Sequence, residues 1–333
     1  MSPQSNIIKI VGIPIGGKET ASPRLRYYSF LEGLPKDQFA WVTFSGVSDF
    51  KDCSLVYVQK QAIPALLPLL KKLQAMEIGV IYDIDDDIEM LENVIPTFAG
   101  IDFIQLADAV TVATKKSVSI LKSSTQKPIH IVPNGIDYYD QIEKYGVPSI
   151  QPTVTAIGSF GNLENCTEAH SKLSILSNTS KSIFITHPDD SFPGHIVPWH
   201  LETFIQDLRQ LDVCLLTQPD NERGHLKSNN RLLVTLAAGI PTIAFDSPSF
   251  SETLEEAGLQ ALIVSCDKEL QSTYSRLQDC ETRRDIQLKG LDYIDAHYTP
   301  IQNTSSIASV FKSVVRTKKE TTSRTTVLNA LAK

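Results

Sequence analysis

The chain is short of cysteine and never pairs it. Five cysteines (Cys53, Cys166, Cys214, Cys266 and Cys280) are scattered through 333 residues, none in a CxxC spacing. An odd, dispersed set excludes a disulfide framework, and three of the five lie in apolar runs where a thiol packs as a small hydrophobe. Reduced thiols imply a reducing cytoplasm. No apolar run approaches the ~20 residues needed to span a bilayer, and the first residues carry no charged segment ahead of a signal-like core. A cytoplasmic protein is expected, with peripheral contact to the inner face of a membrane left open. Excess positive charge is also missing: 31 Lys and Arg face 38 Asp and Glu, a net charge of −7. That argues against nucleic acid as a general partner. No two histidines have HxxxH spacing, so zinc is not expected, and neither a GxSxG elbow nor a Walker loop occurs.

What remains is an ordinary apolar fraction of 42% with 21% charged residues, enough for a sizeable core. Apolar runs at 7–15, 39–44, 54–58, 77–82, 108–112 and 128–132 read as buried strands. Helical segments lie between them, among them 64–76 and 115–121. Residues 138–152 are polar and broken by Gly146, Pro148 and Pro152, which marks a linker. The alternation restarts with strands at 153–157, 182–186, 213–217, 242–245 and 261–264. Strands alternating with helices predict parallel sheet. The fold class is therefore α/β, two Rossmann-like domains facing a cleft: residues 1–147, residues 148–316, and a polar tail at 317–333. Ligands of such sheets sit at the carboxyl ends of strands. That singles out Gly16-Gly17, the acidic run at 83–87, residues 134–137, the Gly158–Asn162 loop, the turn at His187, and residues 217–228.

The stretch NERGHLKSNNRLLVTLAAGIPTIAFD, 221–246, organises the second half. A polar turn feeds a helix expected to start near Ser228, to stop at Gly239-Ile240-Pro241, and to lead into a buried strand. Unpaired N–H groups at a helix start, with Lys227 beside them, suit an anion such as a diphosphate. The plain alternative is an αβ unit with a Ser cap and a Gly stop. The acidic run allows three readings: a divalent-ion site, a wall of carboxylates that orients acceptor hydroxyls or takes a proton, or a capping loop for the next helix. Asp83 and Asp85 are the candidates nearest the strand end.

ADAVTVATKKSVSILKSS followed by PIHIVPNGID resembles the end of the N-terminal domain in B-type glycosyltransferases of family four (group 1). LDVCLLTQPDNERGHLKSNNRLLVTLAAGIPTIAFD, with WHLETF before it, resembles that superfamily's donor-binding unit, and GSFGNLEN its Gly-rich loop. The resemblance implies the B-type architecture and a retaining, metal-independent transfer of a sugar from a nucleotide diphosphate to an acceptor hydroxyl. No cofactor is implied beyond the nucleotide-sugar co-substrate. Polysaccharide, glycolipid or other glycoconjugate assembly is the setting; the acceptor is unnamed.

Carried over, Lys227 and Ser228 would hold the diphosphate and stabilise the leaving nucleotide. Gly158, Ser159, Gly161 and Asn162 would approach phosphates or base from one wall, and Gly16 and Gly17 from the other. His187 would line the donor pocket, and Arg24 and Arg26 would add charge or lie on a helix surface. Trp199 is expected to anchor the core between the domains. One departure stands out. Where much of the family has two helix carboxylates that grip the ribose, this chain has Leu226 and Val234. Either Asn229 or Asn230 holds the ribose instead, or the chain is a catalytically silent binding subunit. A nucleic-acid base glycosyltransferase is a third, weaker option.

Overall fold

The computed structural model describes residues 7–136, 138–176, 180–219 and 221–331. The chain divides into two compact units, residues 1–135 with 300–333, and residues 136–299.

In the first unit six parallel strands form one sheet: β1 (Ile8–Pro14), β2 (Phe39–Thr43), β3 (Leu55–Gln59), β4 (Gly79–Ile84), β5 (Ala109–Val112) and β6 (Ile129–Ile131), in the order β2-β1-β3-β4-β5-β6. All six expected strands are present. β3, β4 and β5 are buried along their whole length, which is why they read as unbroken apolar runs rather than as alternation. The order reverses between β1 and β3, so Gly16-Gly17 and Gln59-Lys60 flank the reversal at the carboxyl edge.

The second sheet holds β7 (Ala156–Phe160), β8 (Lys181–Thr186), β9 (His195–Pro198), β10 (Val213–Leu216), β11 (Thr242–Phe245) and β12 (Ile263–Val264), in the order β12-β11-β10-β7-β8-β9. This is the doubly wound dinucleotide-fold order, with its reversal between β7 and β10. The edge strand β9 escaped the sequence reading because its four residues are only partly buried or exposed. β7 lies about three residues later than expected, so Gly158 and Ser159 belong to the strand and not to the loop after it.

Two boundaries differ from the sequence expectation. The 138–152 segment is not a bare linker: Tyr139–Tyr145 is a helix. Tyr138 packs its ring 4.7 Å from that of Phe204, and Ile142 and Tyr145 rest on the second core. The first division therefore falls near residue 135, not 147. The chain end is also not a loose tail, because Pro300–Leu331 is one helix. It returns to the first unit, burying Ile307, Val310, Phe311 and Val314. Phe311 meets the rings of Phe39 and Tyr57 at 6.4 and 5.3 Å.

Candidate functional site

The second unit carries the more developed candidate. At the β7/β10 reversal the chain leaves β10 through Thr217 and Gln218. It forms a short helix, Glu222–Leu226, then passes through Lys227 and Ser228 into the helix Asn230–Ala237. Asn221 caps the short helix by accepting from the Gly224 N–H at 2.8 Å. Gly224 is obligatory there, since a Cβ would lie 1.8 Å from the Pro219 carbonyl oxygen. Lys227 ends the turn in extended geometry, its N–H donating to the Gly224 carbonyl at 3.1 Å.

The following helix begins two residues later than expected, with Asn229 and not Ser228 at the N-cap. Asn229 makes no side-chain cap; its amide donates instead to Thr253 Oγ1 at 2.9 Å and Tyr298 Oη at 3.2 Å. Its amide is thus engaged by the framework and is not turned to a ribose. The helix start thus receives no cap from its own N-cap side chain, at the positive end of the helix dipole. Behind it Leu232, Leu233, Val234, Leu236 and Ala237 are buried, as is Leu226. The helix ends as anticipated: Gly239 has φ +70°, and Ile240 N and Gly239 N donate to Thr235 and Leu236 carbonyls at 2.9 and 3.0 Å, the Schellman pattern.

Arg231 is the residue that sequence reasoning missed. It lies in the first turn of this helix, donating to the carbonyls of Phe160 at 3.3 Å and Thr217. It thereby joins the ends of β7 and β10 across the reversal, with its guanidinium over the Phe250 ring. Burial pulls its pKa down to about 10, with Cys214, Cys166 and Glu168 acting the other way, so it stays a cation at neutral pH. The available signal was a positive charge in a helix first turn, where the dipole disfavours it.

Gly161, at φ +136°, sits against Arg231 and Asn165, and a Cβ would lie 3.3 to 3.5 Å from their side chains. Asn162 caps the helix Leu163–Leu173, accepting from Asn165 N at 2.9 Å. Gly158 serves packing rather than ligand approach, because its Cβ would meet the Ile183 carbonyl of β8. His187 is exposed after β8, its ring edge-on to Trp199 at 5.9 Å. Trp199 packs on the core of its own unit.

This edge also collects buried polar atoms that no protein group satisfies. Ser159 Oγ, Thr186 Oγ1, Gln218 Oε1, Ser247 Oγ and Ser249 Oγ have no hydrogen-bond partner. The first four belong to the final residues of β7 or β8 or to the turns after β10 and β11, and Ser249 to the first turn of the helix Pro248–Glu256. Leaving such an atom unmatched costs roughly 1–3 kcal/mol, so their concentration at one edge marks a place built for something other than packing.

In the first unit the sequence candidates separate. Asp83 ends in the interior, fully buried, taking a two-pronged bond from Arg26 (2.6 and 2.8 Å) and another from Thr111 Oγ1 at 2.5 Å. Arg26, equally buried, also donates to the Val132 carbonyl and Asn134 Oδ1. Asp83 is therefore a structural ion and not an acceptor-facing carboxylate, and Arg26 is not a surface charge. Asn134 of the Asn-Gly-Ile-Asp turn owes its place to this pair; Asp137 lies outside the described residues. Asp85 faces the edge instead. It accepts from Ser22 Oγ at 3.0 and 2.8 Å and lies 3.6 Å from Lys60 Nζ, which also pairs with Asp86. Lys60 adopts φ +60° to reach them. Asp87 caps the helix Ile88–Val94 through Met90 N. Gly16 and Gly17 follow β1 as expected, but Glu19 accepts from the Gly17 N–H at 3.2 Å. Arg24 folds back on the carbonyls of Lys18 and Glu19. Among the described residues no group of three or more His, Cys, Asp and Glu side chains is arranged to hold a metal ion. Nor is any helix among them long and apolar enough to cross a membrane.

No protein-family model matches the chain, and no curated protein matches by sequence. Solved structures do match. The trehalose-6-phosphate structure from E. coli, bound with UDP-2-fluoro glucose, superposes with a TM-score of 0.62 at 12% identity, covering 91% of this chain and 99% of that one. WaaG, a glycosyltransferase involved in lipopolysaccharide biosynthesis, gives 0.57 at 12% identity, with 92% and 99% covered. An O-GlcNAc transferase mutant from Thermobaculum terrenum gives 0.54 at 11% identity, with 96% and 69% covered. Taken with the two parallel six-stranded sheets, these likenesses show that the chain is built on the B-type glycosyltransferase fold, two Rossmann-like domains in series.

Proposed function

We propose that this chain is a glycosyltransferase that moves a sugar from a nucleotide-diphosphate donor to an acceptor hydroxyl. The observation that carries the reading is the start of the Asn230–Ala237 helix at the β7/β10 reversal, given no cap by the Asn229 side chain, flanked by Lys227 and Ser228 and braced by Arg231. Backbone N–H groups and a lysine at such a point suit a diphosphate. As the bond from the anomeric carbon to the diphosphate breaks, negative charge grows on the leaving oxygen, and Lys227 with the helix dipole lowers the cost of that charge. The acceptor oxygen forms the new bond to the anomeric carbon, and its proton passes to the leaving diphosphate oxygen. Asp85, held by Ser22 and offset by Lys60, is the carboxylate that the first unit presents beyond its own strand end, and orienting a hydroxyl is the role proposed for it.

The reading includes retention of anomeric configuration without a metal ion, in the assembly of a polysaccharide, glycolipid or other glycoconjugate, and a cytoplasmic setting. Structures of similar fold bind a UDP-glucose analogue or serve lipopolysaccharide biosynthesis, which supports a nucleotide sugar as co-substrate. One observation favours a second reading, a silent binding subunit: Leu226 and Val234 are buried among apolar neighbours and offer a donor no carboxylate.

Calorimetric titration with UDP, GDP and ADP separates the two. Binding of at least one by the natural protein, weakened about tenfold or more in Lys227→Ala, is the expected result. Equal affinity in the variant would remove Lys227 from the phosphate site.

A further inference from the structure

The helix behind the diphosphate loop offers a donor only apolar side chains, yet the neighbouring strand ends hold the unmatched polar groups. Leu216 of β10 stands opposite Ala244 of β11. Two residues on, Gln218 therefore comes level with Asp246, and Ser247 follows directly. Gln218 is 7% and Ser247 3% exposed, and both Gln218 Oε1 and Ser247 Oγ lack any partner. Ser247 occupies the N-cap of the helix Pro248–Glu256, the position where a serine normally bonds the first turn, and it makes no such bond. Ser249 Oγ, one turn position later, is likewise buried and unmatched. A helix start, an unused capping hydroxyl, a second hydroxyl and an amide oxygen thus follow the ends of two neighbouring strands.

The chemistry of these atoms narrows the ligand. An amide oxygen only accepts, so it would repel a phosphate oxygen and requires an O–H or N–H. The two serine hydroxyls both give and accept. The charged groups that border them are already engaged: Arg231 donates to the Thr217 carbonyl, and Asp246 accepts from Ser251 Oγ at 2.6 Å. The rings nearby already carry cations, Lys172 over Phe245 and Arg231 over Phe250. A ring bearing adjacent hydroxyls matches the set. We infer that Gln218, Ser247 and Ser249 form a subsite for a vicinal diol of the donor, next to the diphosphate loop. This rests on the donor reading above. The diol belongs to the ribose or to the transferred sugar.

The test uses the full chain and the nucleoside diphosphate that binds best, its 2′,3′-dideoxy counterpart, the matching nucleotide sugar, and inorganic pyrophosphate. The variants are Ser247→Ala, Gln218→Leu and their combination. If the ribose is the ligand, the natural protein prefers the ribonucleotide over the dideoxy form about tenfold, and the double variant loses that preference. If the transferred sugar is the ligand, the double variant loses the extra affinity of the nucleotide sugar over the nucleoside diphosphate. Pyrophosphate affinity stays unchanged in both cases. Because Ser247→Ala removes a buried hydroxyl that has no partner, the melting temperature of the free protein should hold or rise, which a framework hydroxyl would not allow. The inference is overturned if both preferences survive in the double variant while Lys227→Ala still weakens binding. If no nucleoside diphosphate binds the natural protein, the donor reading fails and takes the subsite with it.

Discussion

Asp83 and Asp85 are two positions apart in one acidic run, and the structure gives them unrelated work. Asp83 lies within β4 and meets Arg26 in the interior, while Asp85, beyond the strand end, stays at the edge. Burial pushes the Asp83 carboxyl up, against the pull of Arg26 and Thr111, while Asp83 holds the Arg26 guanidinium above its usual range. An ion pair in the interior is costly to break from one side only. Asp83→Asn should therefore destabilise the first unit by roughly 3–5 kcal/mol, since Arg26 would be left buried without its counter-ion. Chemical denaturation measures this directly; an unchanged midpoint would mean that the pair carries no such burden. Sequence could show that carboxylates cluster after β4. It could not show which one meets an arginine 57 positions earlier, because that partnership is set by tertiary packing. Arg231 was hidden for the same reason: its partners are the Phe160 and Thr217 carbonyls.

Among the elements, the strands were the most legible part of the chain. Eleven of the twelve strands among the described residues coincide with expected ones; the most legible, such as β3, β4 and β5, are buried along their whole length and so read as apolar runs. β9 and the shifted start of β7 fall where that rule weakens, at an edge and beside a glycine. The terminal helix was the harder case. Its polar face dominates the composition, while Ile307, Phe311 and Val314 recur at helical spacing on the buried side. Phe311→Ala should cost about 3–5 kcal/mol of the first unit's stability, the usual result for deleting a buried phenylalanine. A tail that merely frayed would show no change in the denaturation midpoint.

For the molecule as a whole, two parallel sheets were expected from the repeated alternation of strands and helices. The closing helix that brings residues 300–331 back to the first unit was not. A return of the chain end after a complete second unit leaves no local signal, since each residue obeys its helix and only the apolar stripe records a destination. The proposed donor site was legible as a polar loop feeding a helix; its bracing arginine and unmatched hydroxyls appear only once neighbouring strand ends are brought side by side. The central claim is that this fold serves sugar transfer from a nucleotide-diphosphate donor. It is tested most directly by incubating the full chain with a panel of nucleotide sugars and following slow release of free sugar and nucleoside diphosphate, which requires no acceptor. The account predicts release from at least one donor above the uncatalysed rate, lost to about a tenth or less in Lys227→Ala. Release indistinguishable from the uncatalysed rate for every donor, by a folded protein, would contradict it.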